Sequence, residues 1–271
     1  MLQVETIPRL RQPVLVLAIV GWVDAGEAGA SAAALLSSQL DGGRVFARYP
    51  LDEIVDLQQT RPTVRLVDGQ TREISWPTIE FVAGRADRDV VCCVGPEPSL
   101  RWPSVAGEVV ALAKELGVTK AVGLGGMPAV VSHRRPVPIL ATATDASSAK
   151  EAGAIRTDYH GATGLQTVVQ CALGDAGIPS LGLWAQVPHY VSATPSPPAM
   201  RALLTRLGEL TGVAVDVGVL DEQAEEYAAR VEEGLADRPD VAELVNAIEE
   251  QAGEVSGDDL ADEIERFLRD Q

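Results

Sequence analysis

The stretch VLVLAIVGWVDAGEAGASAAALLSSQL, Val14 to Leu40, sets an unbroken apolar run against a glycine-bearing loop and then a segment of small and aliphatic residues at helical spacing. A short continuous apolar run bounded by turn signals predicts a strand buried on both faces, and the segment that follows predicts a helix. A loop in this position often cradles a phosphate, because the N–H groups at a helix N terminus face the anion. Here the glycines fall at Gly21, Gly26 and Gly29, which fits neither GxGxxG nor GxxxxGK[ST], and no lysine follows. Asp24 and Glu27 put carboxylates where the anion would sit, and carboxylates favour helix N termini for the same electrostatic reason. The loop is therefore read as structural, with Asp24 as a cap.

Outward from this unit the strand–helix rhythm repeats. RVFARYP (Arg44 to Pro50) reads as a strand, and TVRLVDGQTREISW (Thr63 to Trp76) as a hairpin turning at Asp68-Gly69, a dipeptide suited to a type I′ turn. DVVCCVG (89–95), a helix over 104–116, KAVGLGG (120–126), a strand over 137–143, a helix over 163–173, SLGLWAQV (180–187) and a helix over 197–210 follow. This alternation predicts an α/β fold: a three-layer, mostly parallel sheet with helices on both faces.

Beyond Val219 the pattern is purely helical. Leu220, Ala224, Tyr227, Val231 and Leu235 make one apolar stripe, Val241, Leu244, Val245 and Ile248 a second, and Leu260, Ile264, Phe267 and Leu268 a third. The chain of 271 residues carries a net charge of -17, and residues 219–271 hold 18 Asp and Glu against 4 Arg, so residues 1–218 contribute only -3. Two domains follow: an α/β body, 1–218, and an acidic helical extension, 219–271. The segment 221–235 is expected to pack on the body and 240–271 to be less firmly held, since Pro239 and Gly257 interrupt it. Such acidity excludes nucleic acid and anionic membrane as partners, and no apolar run reaches the roughly 20 residues of a membrane span. Cys92 and Cys93 are adjacent, so on a strand they point to opposite faces, and Cys171 is isolated. Neither metal spacing nor a redox pair is present; a reduced, cytoplasmic setting is expected.

If the strands are parallel, the loops GWVDAG, GPEP (95–98), GGMPA (125–129) and PHYV (188–191) share the carboxyl edge of the sheet, the ligand edge of open α/β folds. Asp24, Glu97 and His189 then form a candidate carboxyl-edge cluster, since two carboxylates and an imidazole can build a metal site or an acid–base pair. Each also has an ordinary structural use: Asp24 as a cap, Glu97 as an acceptor of backbone N–H groups between two prolines, His189 as a neighbour of Tyr190. Gly21, Gly26, Gly125 and Gly126 are the structural glycines of these loops. His133 and His160 stand beside no nucleophile motif, and GxSxG is absent from the chain. No catalytic residue, metal ligand or cofactor is assigned.

GWVDAGEAG, Arg61-Pro62, ISWP (74–77), GPEPSLRW (95–102), GLGGMPAVVSHRRPVP (123–138), YHGATGL (159–165) and GIPSLGLWAQVPHYV (177–191) together resemble the proteasome assembly chaperone family, specifically relatives of its second subunit and their actinobacterial branch. The resemblance spans about residues 8–235. It implies a fold similar to that of nucleoside phosphorylases and related hydrolases, assembly into homo-oligomers, no established active site, and proteasome α subunits as partners. Archaeal relatives often end in a hydrophobic-Tyr-any tail; this chain reads FLRDQ, with Arg269 and Asp270 at those positions, so tail-dependent docking is not implied.

The resulting expectation is a non-catalytic chaperone or adaptor that works through protein surfaces. Tyr190, Pro195 and Pro197 are its candidate interface residues, because the proline-rich ATPSPPAM (193–200) offers unbonded backbone outward. Trp102 and Trp184 are read as core fillers. The alternative is a nucleoside phosphorylase-like or hydrolase-like enzyme, or an ATP-dependent ligase, with its site on the carboxyl edge. Lys114, Lys120 and Lys150 are the only lysines and none lies in a glycine-rich loop, which favours the chaperone reading.

Overall fold

Val14–Val20 is buried at every position but the last, and alternation sends its side chains to two cores. In a computed structural model, which describes residues 1–21, 23–155 and 159–251, this strand sits near the middle of an eight-stranded sheet. In chain order the elements are β1 (Gln3–Val4), β2 (Val14–Val20), α1 (Ala28–Gln39), β3 (Asp41–Pro50), β4 (Thr63–Val67), β5 (Gln70–Ser75), β6 (Thr78–Arg85), β7 (Asp89–Pro96) and α2 (Trp102–Glu115). Then come β8 (Lys120–Ala129), β9 (Ile139–Ala143), α3 (Ala146–Ala152), α4 (Leu165–Asp175), β10 (Ser180–Pro188), α5 (Pro197–Thr211), α6 (Asp221–Ala236) and α7 (Pro239–Gln251).

The sheet order is β1-β3-β6-β7-β2-β8-β10-β9. The four central strands, β7, β2, β8 and β10, are parallel, while β1, β3, β6 and β9 pair antiparallel at the flanks. The expected mostly parallel sheet is thus a mixed one. The reason lies between residues 41 and 96, where no helix intervenes: 51–77 carry only the β4–β5 hairpin between β3 and β6, and β6 turns into β7 over 86–88, so the chain returns antiparallel without a helical crossover. TIEFVAGR supplies β6, a strand absent from the sequence reading.

Leu15, Leu17 and Ile19 face a core closed by Val105, Val109 and Leu112 of α2 and Leu165, Val169 and Leu173 of α4. Val14 and Val16 face the opposite core, closed by Ala28, Ala32 and Leu36 of α1 and Leu203, Leu204 and Leu207 of α5. Cys93 joins the first core and Cys92 the second, as their adjacency requires. Burial pushes the Cys92 thiol up to about 12 and raises Cys93 as well, so neither is a thiolate at neutral pH.

β4 and β5 pair only with each other, as a separate two-stranded sheet. Asp68 and Gly69 take φ of 50° and 73°, the two positive values a type I′ turn requires.

α6 and α7 carry their own small core of Tyr227, Val231, Leu235, Val241 and Val245, which rests on Tyr190 and Val191. α7 begins the stretch 240–271 expected to be less firmly held, and it is docked: Val241, Val245 and Ile248 are buried, and Arg135 Nε reaches Glu249 at 2.9 Å. Leu244, placed on the stripe by spacing, is 39% exposed. The third stripe and the C-terminal FLRDQ lie outside the described residues.

Candidate functional site

Because β2, β7, β8 and β10 are parallel, the loops that follow them share one edge of the sheet. There Asp24 turns its carboxylate onto the first turn of α1: Oδ1 accepts from the Gly29 N–H at 2.7 Å and Oδ2 from the Ala30 N–H at 3.1 Å. Its pKa is raised by burial, against which the N–H groups of Gly29, Ala30 and Gly126 act. The carboxylate thus stands where a phosphate loop would hold its anion. Gly26, between them, takes φ +65°, which an L side chain rarely adopts, and a Cβ at Gly126 would run into the Ala25 carbonyl.

Glu97 does for α4 what Asp24 does for α1. Its Oε1 accepts from the Leu165 N–H, the first of that helix, while its own N–H donates to the Val20 carbonyl at 2.7 Å. A Cβ at Gly21 would meet Glu97 at 2.7 Å and one at Gly125 would meet the Trp184 ring at 2.7 Å, so both glycines make room for a neighbour. His189, in the turn of 3-10 helix His189–Val191, sets Nδ1 3.2 Å from the Ala129 carbonyl and packs edge-on against Tyr190. The edge is therefore common to all three residues, but each is committed to a different backbone partner. Among the described residues no three His, Cys, Asp or Glu side chains are grouped so as to hold a metal ion.

The best-connected polar cluster on this edge centres on His133, to which sequence reasoning gave no role. The Tyr190 oxygen accepts from the His133 backbone N–H at 3.0 Å and stands 2.8 Å from His133 Nδ1, while Nε2 is 3.1 Å from Glu232 of α6. Glu232 is a carboxylate and can only accept, so Nε2–H donates to it, and Nδ1 of the neutral ring accepts from the Tyr190 O–H; the network assigns this tautomer. Arg134 grips the same carboxylate through Nε at 2.6 Å and Nη2 at 3.0 Å. Burial holds the His133 pKa below its usual 6.5, opposed by Glu232, and the Arg134 guanidinium holds Glu232 below the usual carboxylate range. No spacing rule could have found this contact, because its two halves lie 99 residues apart.

Of the three candidate interface residues, Pro195 is exposed; Tyr190 is half-buried against α6 and α7, and Pro197 is buried as the first residue of α5. Trp102 and Trp184 are half-buried, the Trp184 indole donating to Thr142 Oγ1 at 3.2 Å. A larger apolar surface lies on the hairpin. Val64 opposes Ile74, Leu66 lies on the same side of β4 by alternation, past a register shift, and Trp76 follows directly on the end of β5; the exposures of Val64, Ile74, Leu66 and Trp76 are 55%, 52%, 61% and 53%. Arg65 opposes Glu73 on the other face. The alternation was legible in the sequence, but that nothing among the described residues covers it was not.

A family model described as the PAC2 family matches residues 18–235, and the chain belongs to that family. A Mycobacterium tuberculosis proteasome-assembly chaperone homologue, Rv2125, is 39% identical with a TM-score of 0.78, over 86% of this chain and 99% of that one. A PAC2 family protein from Streptomyces avermitilis is 41% identical over the same shares, also at 0.78. Rv2714 of M. tuberculosis, a protein of unknown function, is 29% identical over 100% of this chain and 96% of its own, at 0.88. The archaeal proteasome activator PbaB of Pyrococcus furiosus shares the fold at 18% identity, with a TM-score of 0.69 over 86% and 97%. No curated protein matches the sequence.

Proposed function

We propose that this chain is a non-catalytic chaperone or adaptor, self-associating, that binds proteasome α subunits and acts on proteasome assembly or activity. Family membership supports the proteasome connection, and one observation carries the protein-binding reading: the apolar face of Val64, Leu66, Ile74 and Trp76. Contiguous exposed apolar surface of this kind marks sites of association, and an isolated two-stranded hairpin is marginal in water unless something packs on it. The carboxylates of the ligand edge argue in the same direction, since Asp24 and Glu97 are occupied as helix caps. The near-neutral body, 1–218, is the binding part in this reading, with Pro195 as an accessory surface, and 219–271 is an acidic extension that keeps the assembly soluble. The buried free thiols Cys92 and Cys93 support a cytoplasmic setting.

Mixing the full chain with purified proteasome α subunits and separating by size tests the reading. Co-elution is expected, and its loss in a Leu66→Asp/Ile74→Asp variant. Failure of the unaltered chain to bind α subunits at micromolar concentration, an affinity worth about 8 kcal/mol, would overturn the proteasome assignment.

A further inference from the structure

Between β10, the loop that leaves β8 and helix α6 lies a cavity of about 10 Å³, lined among others by Ser132, His133, Gln186, Ser196 and Tyr227. Gln186, on β10, is 0% exposed, and among the described residues neither its amide oxygen nor its amide nitrogen meets a protein partner. The Tyr227 hydroxyl, from α6, is likewise buried and unpaired. The Ser196 hydroxyl comes close enough to Tyr227 to temper the rise that burial gives its pKa, without completing a hydrogen bond of good geometry. The rest of the polar lining is satisfied: both His133 ring nitrogens are engaged, and Ser132 Oγ accepts from the Arg134 N–H at 3.2 Å.

A buried amide with both ends unpaired costs more than most single interactions supply. Three polar groups converge here on a space the size of one water molecule, and a site of that size with two to four polar partners holds water, not a larger ligand. We propose that this cavity is a single-water site: one water bridges the Gln186 amide to the Tyr227 hydroxyl, with Ser196 Oγ as its third partner, and so ties α6 to β10.

Gln186→Leu in the full chain decides by sign, read as hydrogen exchange of the α6 amides. If a water holds the joint, Leu removes its anchor and exchange across Tyr227–Leu235 quickens about tenfold. A dry cavity gives the opposite result, because replacing an unpaired buried amide with an apolar side chain is neutral or stabilising; unchanged or slower exchange overturns the proposal. Tyr227→Phe added to Gln186→Leu is expected to quicken exchange no further, since the shared water is already gone, and independent, multiplying effects would also overturn it. Should Gln186→Leu fail to fold, a high-resolution crystal structure of the unaltered chain serves instead. A water within hydrogen-bond reach of Gln186 and Tyr227 is expected there; Gln186 turned onto protein groups beside an empty cavity refutes the assignment.

Discussion

Asp24 caps α1 from outside the helix, with both carboxylate oxygens on N–H groups that have no partner within the helix. Asp24→Ala is expected to cost about 1 kcal/mol, the usual loss for a capping side chain, measured by chemical denaturation. Asp24→Asn keeps one acceptor oxygen and removes the burial penalty on the charge, so it is expected to cost less. The pH dependence follows from the direction of the shift. Since the folded protein raises the Asp24 pKa above 3.8, protonation favours folding; this contribution is complete below 3.8 and is lost as pH rises through the folded value. The Asn variant lacks that slope, and an unchanged stability profile between the two proteins would refute the burial account. The capping role was legible in the sequence from one acidic residue ahead of a helix. Glu97 capping α4 was legible only as a carboxylate in need of N–H donors, since the helix it caps begins 68 residues later.

At the scale of elements, the docking of α6 and α7 sets three ion pairs and the hydrogen bond from neutral His133 to Glu232 against one apolar cluster. The pairs Arg134–Glu232, Arg135–Glu249 and Arg201–Asp221 each have at least one solvent-exposed partner, and pairs of that kind contribute under about 1 kcal/mol each. Burying Val231, Leu235, Val241 and Val245 contributes about 1.5–3 kcal/mol per side chain, so the apolar cluster holds the helices and the charges set their register. His133 faces Tyr190, Glu232, Arg134 and Glu249. Its folded pKa is depressed below 6.5, so its contribution is full above 6.5 and is lost as pH falls through the lower folded value. Glu232→Gln removes the charge that opposes this depression. The His133 titration, followed by NMR, should therefore move to still lower pH; movement upward would show that Glu232 does not face the ring as described. The stripe over Leu220 to Leu235 was readable as helix periodicity, but its partner was not, because nothing local to His133, Arg134 and Arg135 points to a helix almost a hundred residues further along the chain.

Among the described residues the molecule presents acidic helices, α6 and α7, and a hairpin whose apolar face is uncovered. Because β4 and β5 are exposed at every residue, Leu66→Asp and Ile74→Asp should leave the stability of the single chain within about 0.5 kcal/mol of the original. The same variants should abolish self-association, read by light scattering of the full chain. An assembly that survives both substitutions would place the contact elsewhere on the body.

The sequence by itself determined the strands and helices of the central α/β layers, the hairpin turn at Asp68-Gly69 and the opposed faces of Cys92 and Cys93. Each of these follows from a local period or a local backbone requirement. Tertiary structure alone decided the antiparallel flank from β1 to β6, the separate engagement of Asp24, Glu97 and His189, the grip of Glu232 on His133 and Arg134, and the placing of Gln186 beside Tyr227 under α6. Those depend on which distant segments lie side by side, and no period within one segment carries that information. The physical cause is the same in every case: a polar group is assigned by the partner that burial leaves it, and burial is a property of the packed whole.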